Sequence, residues 1–122
     1  RQFFVRDAEN KKIDVIGDGD LACALYFSAI LSLFRLMQGG IHTTVAWTIK
    51  DLADSGWYRT EALQPGSVIV WTEKLCTDGL QHRHIGFFMG DDLAISNDAK
   101  EGSPQVHHYT YGERDGQPVR GI

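Results

Sequence analysis

The 122 residues fall within the range of one domain, and a hydrophobic fraction of 43% is enough to build a core without disulfide staples. Charged residues make up 23% of the chain with both signs interspersed, for a formal net charge of -4, which excludes a polyanion and argues against nucleic acid as a partner. Two cysteines, Cys23 and Cys76, do not make a disulfide framework and leave a free reactive thiol open.

Residues 1 to 20 are polar and mixed and end in Gly17-Asp18-Gly19-Asp20, turn chemistry followed by a candidate N-cap acid. The chain opens at Arg1 without a methionine or a signal-peptide pattern, as an excised domain or a processed product would. From Leu21 to Met37 runs the longest apolar stretch, interrupted by Ser28, Ser32 and Arg35 and short of the ~20 residues that a membrane span needs. It is apolar on nearly every side and closes at Gly39-Gly40, so it predicts a central helix covered all round. Thr43 or Thr44 can cap a second, amphipathic helix with Val45, Ile49 and Leu52 at helical spacing, ending at Ser55-Gly56.

Beyond Trp57 the pattern changes to strands. Pro65-Gly66 is a turn pair before a β-branched and aromatic run, Ser67 to Thr72. Cys76 to Gln81 reads as a polar loop, His84 to Met89 as a second strand, Gly90-Asp91-Asp92 as a tight turn and Leu93 to Ser96 as a third strand. A further strand is expected from Val106 to Tyr111, and Gly112 to Ile122, rich in Gly, Pro and charge, reads as a loose tail. Helices first and strands afterwards give an α+β domain over residues 1 to 122, with the N-terminal helices packed on an antiparallel sheet.

Cys23 falls in the first turn of the predicted long helix, where free backbone N–H groups and the helix dipole stabilise a thiolate and lower its pKa. A cysteine among Ala22, Ala24 and Leu25 also reads as plain core. His84 heads a strand beside a polar loop, from which an imidazole can project toward the start of a packed helix and deprotonate a thiol. A Cys/His pair far apart in sequence is the arrangement expected of thiol hydrolases. The third strand ends in Ser96-Asn97-Asp98, which offers a group to orient the imidazole; Asn97 is the first choice, with Ser96 a weaker hydrogen-bonding alternative and Asp98 a stronger electrostatic one. A zinc site built from His82, His84, His107 and His108 is a lesser reading, since no cysteine or carboxylate has convincing ligand spacing.

Three segments carry a family resemblance: Asp20-Leu21-Ala22-Cys23-Ala24 opening an apolar helix, Gln64-Pro65-Gly66-Ser67-Val68-Ile69-Val70-Trp71, and His84-Ile85-Gly86-Phe87-Phe88-Met89-Gly90. In this order, over most of residues 18 to 98, they resemble the NlpC/P60 and CHAP domains of the papain-like cysteine peptidases. In such domains the nucleophilic cysteine opens a helix and the catalytic histidine heads a His-hydrophobic-Gly-hydrophobic strand. The resemblance implies a papain-like fold, Cys23 as nucleophile, His84 as base, no metal or cofactor, and a peptide or peptidoglycan stem-peptide amide as substrate. It also implies a secreted or cell-envelope address for a wall hydrolase, with Trp47, Trp57, Tyr58 and Trp71 as candidate cleft walls. NlpC/P60 members commonly read Asp-Cys-Ser-Gly where this chain reads Ala22-Cys23-Ala24, and they often carry histidine at about the place of Ser96. The competing readings are a papain-like amidase or acyltransferase on a non-wall substrate, and a non-catalytic binding module with Cys23 in its core.

Overall fold

A computed structural model describes residues 4–16, 21–76 and 79–122. The turn and N-cap acid expected at residues 17–20 lie outside the described residues. The first elements are a short antiparallel hairpin, β1 (Phe4–Arg6) and β2 (Lys12–Asp14). Asp7 organises its turn by accepting hydrogen bonds from the backbone of Glu9 and Lys11, and Asn10 takes a left-handed φ of 62°.

Helix α1 spans Cys23–Leu33 and α2 spans Val45–Asp54. The first is shorter than its apolar run. Arg35 turns left-handed at φ 56°, and the Leu36 N–H bonds back to the Leu31 carbonyl at 2.9 Å, a closure that ends the helix ahead of Met37. Nor is it covered all round: Cys23, Ala24, Phe27, Ser28 and Leu31 face inward, whereas Leu33 and Phe34 are 78% and 67% exposed. Helix α2 starts on Thr44, whose hydroxyl accepts the Trp47 N–H, and buries Val45, Thr48, Asp51 and Leu52. The connection between the helices is fixed by two side chains. Ser28 Oγ donates to the Ala24 carbonyl and accepts the His42 N–H, and the Asp51 carboxylate accepts the Gly39 N–H and lies 2.8 Å from His42 Nε2.

Four strands, β3 (Val68–Leu75), β4 (Gln81–Gly90), β5 (Leu93–Asp98) and β6 (Ser103–His108), form an antiparallel meander in sequence order. β4 turns into β5 through Asp91-Asp92, both at positive φ, the backbone of a two-residue hairpin whose twist matches its strands. The molecule is therefore α+β, as expected. β4 begins earlier than expected and takes in part of the polar loop, and β6 lies three residues before its expected position.

Alternation along the strands divides the core in two. Val68, Val70, Ile85 and Phe87 pack toward the helices with Cys23, Ala24, Phe27, Leu31 and Leu52. Ile69, Trp71, Phe88 and Ala94 gather on the other face with Leu63, Tyr109 and Tyr111. Residues 112–122 are not a loose tail. They form the hairpin β7 (Glu113–Arg114) and β8 (Gln117–Pro118), and the chain then returns to the sheet, with the Arg120 N–H on the Thr110 carbonyl at 3.0 Å and the Thr72 N–H on the Gly121 carbonyl at 2.9 Å. Gly, Pro and charge here serve a hairpin whose strands pair with each other, and the residues after it bond to β3 and to the segment after β6. No helix among the described residues is long and apolar enough to cross a membrane.

Candidate active site

Cys23 is the first residue of α1, preceded by Ala22, which offers no side-chain cap. Its thiol is 7% exposed and lies against the backbone of Ile85, the residue after His84. The ladder between β4 and β5 runs as far as Gly86 opposite Ser96, so Ile85 lies just beyond the last paired position. The helix-start effect expected from the sequence is present but loses to burial. The backbone of Ile85, Ala24 and Cys23 and the charge of Arg120 all favour the thiolate, yet removal from water outweighs them and pushes the Cys23 thiol above its ordinary value.

His84 stands opposite Trp71 in the β3–β4 ladder, so its ring lies on the face away from the helices. Burial, then the positive charges of Arg120 and His107, push it down to about 4; Asp98 acts in the opposite sense. At pH 7 the resting pair is a neutral imidazole and a protonated thiol. Among the described residues no hydrogen bond joins the two, and Cys23 meets the strand at the backbone next to His84.

The three candidate orienters separate by strand geometry. Ser96 and Asp98 share the His84 face, whereas Asn97 alternates to the helix side with Ile95. The orienting role expected of Asn97 therefore has no hydrogen bond to carry it. Ser96 is buried and engaged elsewhere, 2.8 Å from His107 Nε2 and 3.3 Å from the Tyr111 hydroxyl. His107 Nδ1 lies 2.8 Å from the His108 carbonyl, which only accepts, so in the neutral ring Nδ1 carries the proton and Nε2 accepts from Ser96. Ser96 then accepts from Tyr111, and the chain of bonds is directional. Of the three, Asp98 is the one whose charge acts on His84, in favour of the imidazolium.

Tyr111 and Arg120, at the site, carry no functional signal in the sequence. Tyr111 stacks on His107 with ring centroids 4.0 Å apart, and Arg120 lies over Tyr111 at 5.9 Å. Trp71, fully buried, forms the floor: its ring lies 5.3 Å from His84 and 5.5 Å from His107, and its indole N–H donates to the Tyr109 carbonyl at 2.6 Å. Of the other expected cleft aromatics, Trp57 packs against the helical core, while Trp47 and Tyr58 are exposed. Both cysteines are free. Among the described residues no group of three His, Cys, Asp or Glu side chains is arranged to hold a metal ion.

Compared with models of known families, with curated proteins and with solved structures, the chain gives no match.

Proposed function

We propose that the chain is a papain-like cysteine hydrolase of the NlpC/P60 and CHAP kind that cleaves an amide bond in a peptide, with peptidoglycan stem peptides as the substrate class. The observation that carries the reading is Cys23 at the first position of α1, its thiol against the β4 backbone beside His84. In the proposed reaction bound substrate brings the imidazole and the thiol into hydrogen-bond reach, and the thiol proton then passes to His84 as sulfur bonds to the amide carbonyl carbon. Protonated His84 then delivers that proton to the departing amine as the C–N bond breaks. Water attacks the thioester, His84 takes its proton, and the carboxylic acid leaves as Cys23 regains its hydrogen. The N–H groups at the start of α1 supply oxyanion stabilisation, a contribution worth roughly 3 kcal/mol per donor in hydrolases.

The reading is tested by mass spectrometry of a muropeptide digest treated with the protein. Turnover should fall about 10³-fold or more in Cys23→Ala and about 10²- to 10⁴-fold in His84→Ala. Turnover that survives Cys23→Ala removes the nucleophile assignment. Cleavage of synthetic peptide amides but not muropeptides moves the substrate away from the wall.

One observation favours a second reading, a non-catalytic binding module: Cys23 is buried with its thiol pushed up. It predicts no thioester at Cys23 with any peptide, whereas the hydrolase predicts an acyl adduct that hydroxylamine releases.

A further inference from the structure

Arg120 belongs to the returning C-terminal segment, and its guanidinium is held by the backbone of the sheet. Nε and Nη2 donate to the Thr72 carbonyl at 3.0 and 2.7 Å, and Nη2 also donates to the His82 carbonyl at 3.3 Å. Three bonds to main-chain oxygens of β3 and β4 fix the plane of the fork. They leave Nη1 with no hydrogen-bond partner among the described residues. A guanidinium pinned in this way has already lost the rotamer freedom that binding would otherwise cost, and the Nη1 edge keeps two N–H donors to offer a carboxylate oxygen.

The position of that edge matters. The charge of Arg120 acts on Cys23, on His84 and on Tyr111, so one cation reaches the candidate nucleophile, the candidate base and a tyrosine beside them. Lys74 adds positive charge around His84, and Asp98 opposes it there. A chain of formal net charge -4 thus places Arg120 within reach of its candidate nucleophile and adds Lys74 near its candidate base. Such a local inversion of sign attracts an anionic ligand.

We propose that Arg120 is a specificity-determining residue whose Nη1 binds a carboxylate carried by the substrate next to the scissile amide. The enzyme would then take peptides bearing a free acid at that position and discriminate against their carboxamide counterparts. The proposal rests on the hydrolase reading for the choice of peptide, and not for its readout, because binding can be measured without turnover.

The test uses Cys23→Ala protein and the tripeptide L-Ala–γ-D-Glu–L-Lys, together with forms amidated at each carboxylate in turn. Calorimetry should give an affinity about tenfold tighter for the free acid than for one of the amides, a contrast that disappears in Arg120→Gln. In ¹⁵N-labelled protein the Arg120 Nε–H resonance should move with the acid and not with that amide, a readout that stands if Arg120→Gln fails to fold. Equal affinity for acid and amides, binding of neither up to millimolar concentration, or a contrast retained in a folded Arg120→Gln overturns the proposal. Carboxylate discrimination without turnover in the Cys23 protein would sink the hydrolase reading and leave the carboxylate site standing.

Discussion

Trp71 and His84 are partners across the β3–β4 ladder, their rings 5.3 Å apart, and the indole that supports the imidazole is itself fixed by its N–H on the Tyr109 carbonyl. The imidazole thus rests on a rigid apolar surface, which is why its charged form is disfavoured.

That relationship makes folding stability depend on pH. The folded pKa of His84, about 4, lies below the ordinary 6.5. Between these values the unfolded chain binds a proton that the folded chain does not, so the His84 contribution is whole above about pH 6.5 and is lost as pH falls toward 4. The loss is roughly 3 kcal/mol at most. Urea unfolding at pH 7 and pH 4.5 should show it, and His84→Asn should flatten the difference between the two pH values; an unchanged slope in that variant would place the titration elsewhere.

Gly86 is the glycine of the His-x-Gly strand, and its neighbours explain it. A Cβ there would collide with the Ile95 carbonyl oxygen and meet Ser96 Cβ at 2.8 Å and Trp71 Cζ3 at 3.0 Å. None of these can move without opening the sheet. Gly86→Ala is expected to cost about 3 kcal/mol, read as a lowered denaturation midpoint.

Ser96 connects Tyr111 to His107, and Ser96→Ala removes a partner from each. The expected cost is about 1–3 kcal/mol. The Tyr111 hydroxyl is pushed up by burial, and its phenolate gains a bond when the Ser96 hydroxyl turns to donate to it, so Tyr111 should titrate higher still in the variant, which ultraviolet difference spectra at alkaline pH will report.

Cys23, with its thiol pushed up by burial, should be alkylated by iodoacetamide more slowly than the better exposed Cys76 in the ligand-free protein at pH 7. Peptide mapping assigns each modified thiol. Faster labelling of Cys23 would mean that the helix start dominates burial after all.

Ser32 Oγ is buried and lacks a hydrogen-bond partner among the described residues. Ser32→Ala should be neutral or stabilising by up to about 1 kcal/mol, since it removes a desolvated hydroxyl that gains nothing in return. A destabilised variant would show that the hydroxyl has a partner after all.

What could be read from the sequence was local. The Thr44 cap, the Asp91-Asp92 turn and the order of the meander each follow from a few neighbouring residues, and all three are found. The start of α1 at Cys23 was close to its expected position, but its thiol chemistry was not, because burial by Ile85 and its neighbours is a property of packing. Choosing among Ser96, Asn97 and Asp98 required the register of β5, which a short alternating strand leaves undetermined by one residue. Tyr109 and Tyr111 looked like strand residues; they leave the sheet after His108 to hold Trp71 and cover His107. Arg120 carries no motif at all. Its place is set by backbone bonds to Thr110 and Thr72, contacts that no window of sequence contains.

The return of the C-terminal segment onto β3 also has a consequence for biosynthesis. Cys23 leaves the ribosome well before Arg120, whose guanidinium reaches the Cys23 thiol and can bond to the Thr72 and His82 carbonyls only after all the residues between them have emerged. A nascent chain therefore carries its thiol for a time without the cation that completes the candidate site.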